Sequence, residues 1–108
     1  MTKLHIINID PQHYDASYSG RKPYELMNDG VDYEVGDYAL IQEFNRATQS
    51  YTGRRFFKRI TYVLKEPKLL RERIVSIGLK SLSDYEIDFA DDYRKMIGYE
   101  YPKEETNE

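Results

Sequence analysis

The stretch from Tyr33 to Leu64, YEVGDYALIQEFNRATQSYTGRRFFKRITYVL, constrains this chain more than any other. Val35-Gly36-Asp37 is a turn sequence. After it, Tyr38, Leu40, Gln42 and Phe44 alternate with Ala39, Ile41 and Glu43. A repeat of two is the signature of a pleated strand with distinct faces. The polar NRATQSYTG segment is a connection of hairpin length or a little more. Arg54–Leu64 follows it, dense in β-branched and aromatic residues, and is expected to run antiparallel to the preceding strand.

Shorter elements flank this pair. KLHIINI (Lys3–Ile9), Pro23–Met27 and Ile74–Leu79 read as further strands. DPQHYDASYSG reads as a short helix, with Asp10 as cap, Pro11 at the first helical position and Gly20 at the left-handed end. Tyr14 and Tyr18, four apart, share a face expected to lie on the sheet. Asn28-Asp29-Gly30 is a turn, and KEPKLLRER is expected to form a helical turn.

Beyond Leu79 the pattern changes. Ser83 and Glu86 make a capping box, and Leu82, Tyr85, Phe89, Tyr93 and Met96 fall at helical spacing. Residues 84–97 are expected to form an amphipathic helix whose apolar stripe packs on the body, with YEYPKEETNE fraying behind it.

The expected fold is α+β: a mostly antiparallel sheet of about five strands closing into a small barrel. It carries one early helix and an appended C-terminal one. Residues 1–80 form the barrel, and residues 81–108 form an acidic helical tail of the same domain.

Composition narrows the chemistry. The 108 residues suit one domain with a single modest core. There is no cysteine, so disulfides, thiolate zinc sites and a Cys nucleophile are excluded. His5 and His13 are the only histidines, and no metal or cofactor is expected. The N-terminal apolar run is too short for a signal peptide and no stretch approaches a membrane span, so a cytoplasmic protein with no membrane partner is expected. Residues 1–80 hold 13 Lys and Arg against 10 Asp and Glu, whereas residues 81–108 hold 3 against 9. A mildly basic body, able to attract polyanions, is thus joined to an acidic tail.

The ordered set His5, Pro11, Gly20 with Lys22, Val35-Gly36-Asp37, Tyr51-Thr52-Gly53-Arg54 and Arg59-Ile60-Thr61-Tyr62-Val63-Leu64 resembles the ASCH domain of the PUA-like superfamily of small β-barrels. The likeness is to its single-domain branch, frequent in phages and prophages. It covers about residues 3–80 and leaves out the acidic helix. The resemblance implies an RNA-binding module with a cleft between barrel and early helix, lined by the Gly-x-Lys segment. Some members are enzymes, among them an acetylcytidine amidohydrolase and reported ribonucleases. In the amidohydrolase the cleft holds a lysine, a threonine soon after it and a glutamate from a later strand. Lys22 takes the lysine position. Pro23 stands at the threonine position and Met27 at an arginine position, while Tyr24, Glu25 and Leu26 keep the pattern. Glu66 falls past the end of its strand, so the catalytic glutamate has no counterpart. A proline has no nucleophilic hydroxyl, which argues against amide hydrolysis.

These residues yield the candidates. Lys22, Tyr24 and Glu25 are expected to border the cleft. An offset of three on a strand would point Lys22 and Glu25 to opposite faces, with Glu25 paired to an arginine across the sheet; on a turn they would converge. Arg54, Arg55, Lys58 and Arg59, interleaved with Phe56 and Phe57, suit phosphates and stacked bases, or else guard an edge strand whose phenylalanines are core. Alternation would place Arg55, Phe57, Arg59 and Thr61 on one face, and Arg54, Phe56, Lys58 and Tyr62 on the other. His5 is expected to be a hydrogen-bonded structural residue, or else a general acid or base near Lys22. Asp84, Asp88, Asp91 and Asp92 would face water, close a lid over the basic strand, or meet a partner. The expected function is weak, non-catalytic binding of RNA or another single strand. The alternatives are a phage-type accessory protein gripping a host protein through the acidic helix, and a nucleic-acid hydrolase using Lys22, Glu25 and His5.

Overall fold

The computed structural model describes residues 2–66, residue 70 and residues 73–102. Five strands and two helices follow one another as β1 (Leu4–Ile9), α1 (Pro11–Ser19), β2 (Tyr24–Asn28), β3 (Tyr38–Asn45), β4 (Ser50–Leu64), β5 (Ile74–Ser81) and α2 (Asp84–Met96). Most of KEPKLLRER lies outside the described residues.

The strands form one sheet in the order β1-β3-β4-β5-β2, with β1 parallel to β3 and every other pair antiparallel. The sheet curls into a half-barrel, the small barrel-like α+β fold expected. Its edges are β1 and β2, and α1 connects one to the other. Tyr14 of α1 is buried on the concave side, and its ring meets Phe56 edge-on at 5.2 Å. Ile7, Ile9, Tyr33, Ala39, Ile41, Ile60, Val75, Ile77 and Leu79 complete that core.

Pro11 opens α1 and Gly20 ends it at φ 84, a left-handed conformation in which a side chain would be strained. Asp10, however, makes no side-chain cap hydrogen bond; its carboxylate reaches Arg46 instead, at 3.1 Å.

Two irregularities in β4 are set by what lies across from it. Between Gln42–Arg55 and Phe44–Tyr51 the register shifts, so Glu43 alone opposes Thr52, Gly53 and Arg54. Gly53 takes φ 90 there, which leaves Thr52 and Arg54 on either side of Glu43. A second shift lies between Ile60 and Tyr62, opposite Gly78. A Cβ on Gly78 would stand 3.2 Å from both Thr61 Oγ1 and Tyr62 Cβ, so glycine admits the bulge. The bulge ends the simple alternation expected for β4: Thr61 and Tyr62 are both exposed, consecutively.

Helix α2 has its capping box, with Ser83 and Glu86 satisfying each other's backbone N–H groups. The face it packs is not the one its periodicity suggests. Ala90 is fully buried, whereas Tyr85, Phe89 and Met96 of the supposed packing stripe are 71%, 52% and 81% exposed. Ala90 is small enough to let the helix approach closely, and Glu86 ties it down through Arg59 at 3.2 Å. The segment behind α2 packs as well. Tyr99 accepts a hydrogen bond from Gln42 at 2.9 Å, and Tyr101 donates to Asp91 at 3.0 Å.

Candidate functional site

The Gly-x-Lys segment is shaped by the end of α1. After Gly20 the Lys22 backbone N–H returns to the Ala16 carbonyl at 2.9 Å, and Pro23 then offers its carbonyl to the Leu79 N–H at 2.8 Å. Lys22 therefore precedes the strand, and the opposite-face rule does not govern it. Its Nζ donates to Glu25 Oε1 at 3.1 Å and lies 3.0 Å from Oε2. Lys22, not an arginine across the sheet, is the partner of Glu25. Glu25 is 8% exposed and sits opposite Ile77, so it projects to the concave side. Its Oε2 accepts no hydrogen bond among the described residues. Tyr24 points the other way and is 44% exposed, 5.7 Å from the Lys22 ammonium. The result is a buried carboxylate, oriented by one lysine, with acceptor capacity to spare.

The four cations of β4 divide sharply. Arg54 holds Glu43 with two parallel bonds, Nε to Oε1 at 3.0 Å and Nη2 to Oε2 at 2.7 Å, and Thr52 donates to the same Oε1 at 2.5 Å. The guanidinium also reaches Asp15 at 3.3 Å and lies over the Tyr14 ring at 4.1 Å. Arg54's hydrogen bonds hold the Glu43 carboxyl below its ordinary range, outweighing the upward push of burial. Arg54 is thus a clamp between β3, β4 and α1, with three of its five donors bonded inside the fold. Arg59 is held by Glu86.

Arg55 and Lys58 have no carboxylate within ion-pair reach among the described residues. Arg55 lies on the Tyr101 ring, 3.7 Å from its centre. Lys58 is 4% exposed, and its Nζ donates to Ser81 Oγ at 2.9 Å and to the Tyr18 carbonyl at 3.4 Å. Burial pushes its amine below the usual lysine range. Phe56 packs half-buried against the core, and Phe57, equally half-buried, lies on the other face of the sheet.

His5 forms a buried pair with Asp37, Nε2 to Oδ2 at 2.7 Å, and its ring lies 4.7 Å from that of Tyr33. Asp37 also accepts from the backbone N–H groups of Lys3 and Glu34. Burial alone would raise the Asp37 carboxyl, but these bonds, led by His5, bring it below its ordinary range. The pair fastens the Val35-Gly36-Asp37 turn to β1. His5 shares a cross-strand row with Ala39 and Lys58, two strands or roughly 10 Å from the latter, and the structure does not join it to Lys22.

On α2, Asp84, Asp88 and Asp92 are exposed, whereas Asp91 is bound to Arg94 at 2.7 Å, Lys95 at 3.5 Å and Tyr101. Asp91 is thus occupied within the fold. Three residues that shape the site were not singled out from sequence: Asp37, Glu43 and Tyr101. Glu43 carried a signal, since it shares parity with Ala39 and Ile41 on an inward-facing row. Tyr101 carried a weaker one, as an aromatic placed shortly after the helix-ending Gly98.

No curated protein matches the chain. A family described as a domain of unknown function, DUF3850, matches residues 4–78, which takes in all of β1 to β4 and most of β5 and ends before α2. The chain belongs to the DUF3850 family.

Proposed function

We propose that this protein is a nucleic-acid-binding module, of the ASCH/PUA-like type its motifs resemble, with single-stranded RNA as ligand. The observation that carries this reading is Glu25: a carboxylate 8% exposed, held by Lys22 alone, whose Oε2 has only the Lys22 ammonium 3.0 Å away and accepts no directed hydrogen bond among the described residues. Such a group accepts from the exocyclic amine of an unpaired base, while Lys22 serves a neighbouring carbonyl or phosphate. Tyr24 offers an exposed ring, and Arg21, exposed just before Lys22, supplies charge for the phosphates. With so few uncompensated cations the affinity is weak. The role is binding, not hydrolysis, because Pro23 brings no hydroxyl to the cleft. Fluorescence anisotropy with a short unstructured RNA at roughly 50 mM salt tests this. Salt-sensitive binding that falls at least about tenfold in Glu25→Gln supports it, by the scale of hydrogen bonds to charged groups. RNA binding unchanged in both Glu25→Gln and Lys22→Ala contradicts it.

A second reading is favoured by a separate observation. Tyr85, Phe89 and Met96 form an exposed apolar stripe on α2, bordered by Asp84, Asp88 and Asp92. That surface suits a partner protein with an apolar groove rimmed by cations, as for a phage-type accessory protein that blocks a host factor. Capture of such a partner by the native protein, lost in Tyr85→Ser/Phe89→Ser, tests it; capture that survives the double change rejects it.

A further inference from the structure

Strand β5 ends at Ser81, opposite Lys58, while β4 continues as far back as Ser50. One side of β4 is therefore open from Phe57 onward. Ile60 exchanges both backbone hydrogen bonds with the turn leading into β3. By the alternation of an antiparallel ladder, the peptide groups of Phe57 and Arg55 point away from β3, toward the open side. A cavity of about 500 Å³ lies there. It reaches around that open edge: Tyr18, Phe56 and Lys58 line it from one face of β4, and Phe57, Arg55 and Tyr101 from the other.

The distribution of charge singles this cavity out. Lys3, Lys22, Arg46, Arg54, Arg59, Arg94 and Lys95 each stand within 4.0 Å of a carboxylate. Among the described residues Arg21, Lys65, Arg73, Lys80, Arg55 and Lys58 do not; the first four are exposed to solvent, whereas Arg55 is half-buried and Lys58 buried, and these two share one cavity. An ammonium 4% exposed and without a counter-ion is costly to the fold, and a hydrophobic residue would cost less. Ser81 and the Tyr18 carbonyl take two of its three donors, leaving one. The far wall is fixed: Tyr101 lies between the guanidinium groups of Arg55 and Arg94, at 3.7 and 4.2 Å. The size fits a small-molecule site, and aromatic walls with paired cations suit a ligand that is both flat and anionic.

We propose that this cavity is a ligand site for a nucleoside phosphomonoester, its phosphate on Lys58 and Arg55 and its base among the aromatic rings. The site is separate from Lys22 and Glu25 and does not rest on the reading given to them. The same chemistry is offered by a free mononucleotide and by the 5′-phosphorylated end of an RNA.

Calorimetric titration with uridine 5′-monophosphate, uridine, inorganic phosphate and a 5′-phosphorylated tetranucleotide tests the proposal. The monophosphate is expected to bind at least about tenfold more tightly than uridine, and Lys58→Met to remove that advantage. Arg55→Gln, at a half-exposed position, is expected to weaken binding severalfold and stands as the test if Lys58→Met does not fold. Glu25→Gln should leave monophosphate binding unchanged, which separates this site from the RNA cleft. Tighter binding of the tetranucleotide identifies an RNA end, and equal or weaker binding identifies a free nucleotide; both support the site. Uridine binding as well as its monophosphate, no binding by any phosphate ester, or affinity unaffected by either substitution would overturn it.

Discussion

Arg54 and Lys58 lie on the same face of one strand with Phe56 between them, yet the protein treats them oppositely. Arg54 remains half in solvent and is matched by a buried carboxylate, a hydroxyl-backed hydrogen-bond set and an aromatic ring. Lys58 is almost wholly buried and has, among the described residues, a hydroxyl, a carbonyl and the Phe56 ring at 5.5 Å, but no carboxylate. The first arrangement stabilises the fold, since charge-assisted bidentate bonds are the strong ones. The second works against it. A charge compensated internally explains itself by architecture, whereas one that the fold leaves uncompensated points to something outside the chain. Glu25 stands between these cases, held by one lysine but not saturated by it.

Substitutions should separate the two classes. The largest loss is expected at Asp37→Ala, which strips the anchor from His5 and two backbone N–H groups. About 3 kcal/mol of stability should go, read by urea unfolding. Glu43→Gln should cost about 2 kcal/mol by weakening the contacts of Arg54 and Thr52. Because the Asp37 and Glu43 carboxyls are depressed in the folded state, their contribution is present above the unfolded carboxylate range and lost as pH falls through the lowered folded values. Unfolding curves should therefore show stability falling steeply below about pH 4, and less steeply in either variant.

Lys58→Met should behave in the reverse sense: unchanged or higher by about 1 kcal/mol, because it removes a buried charge. The pH sign is also reversed. The folded amine is depressed, so the unfolded state binds more protons between that lowered value and about 10.4, and stability rises with pH across the window. Lys58→Met should flatten that rise. A large destabilisation instead would put Lys58 in the class of Arg54. The smallest effect belongs to Tyr85→Ser/Phe89→Ser, on the exposed face of α2, where the thermal midpoint should barely move, within about 0.5 kcal/mol.

Much of the scaffold was legible in the residues themselves. The alternation in β3, the β-branched density of β4 and the Pro11 and Gly20 punctuation of α1 are local signals, and local physics governs them. What was not legible depends on partners distant in sequence. The bulge at Thr61 exists because Gly78 lies across from it, and the Thr52-Gly53-Arg54 kink because Glu43 does. The packed face of α2 was misread because helical periodicity ranks apolar bulk, whereas close approach on Ala90 and the Glu86–Arg59 bond decided it. Lys22 and Glu25 were named together, and of the two arrangements weighed for them the turn is the one present, because an offset rule for strands does not hold across a turn. Lys58 was named as a phosphate contact, and its burial was not foreseen because it depends on Tyr18 of α1 and Ser81 of β5, both distant in sequence.

The central claim is that the Lys22–Glu25 cleft receives an unpaired base. It is tested most directly by an NMR titration of isotope-labelled protein with a short unstructured RNA at low salt, repeated with Glu25→Gln. Shifts gathering at residues 21–25, and vanishing in the variant, are the predicted result. A flat response there, or shifts confined to α2, would contradict it.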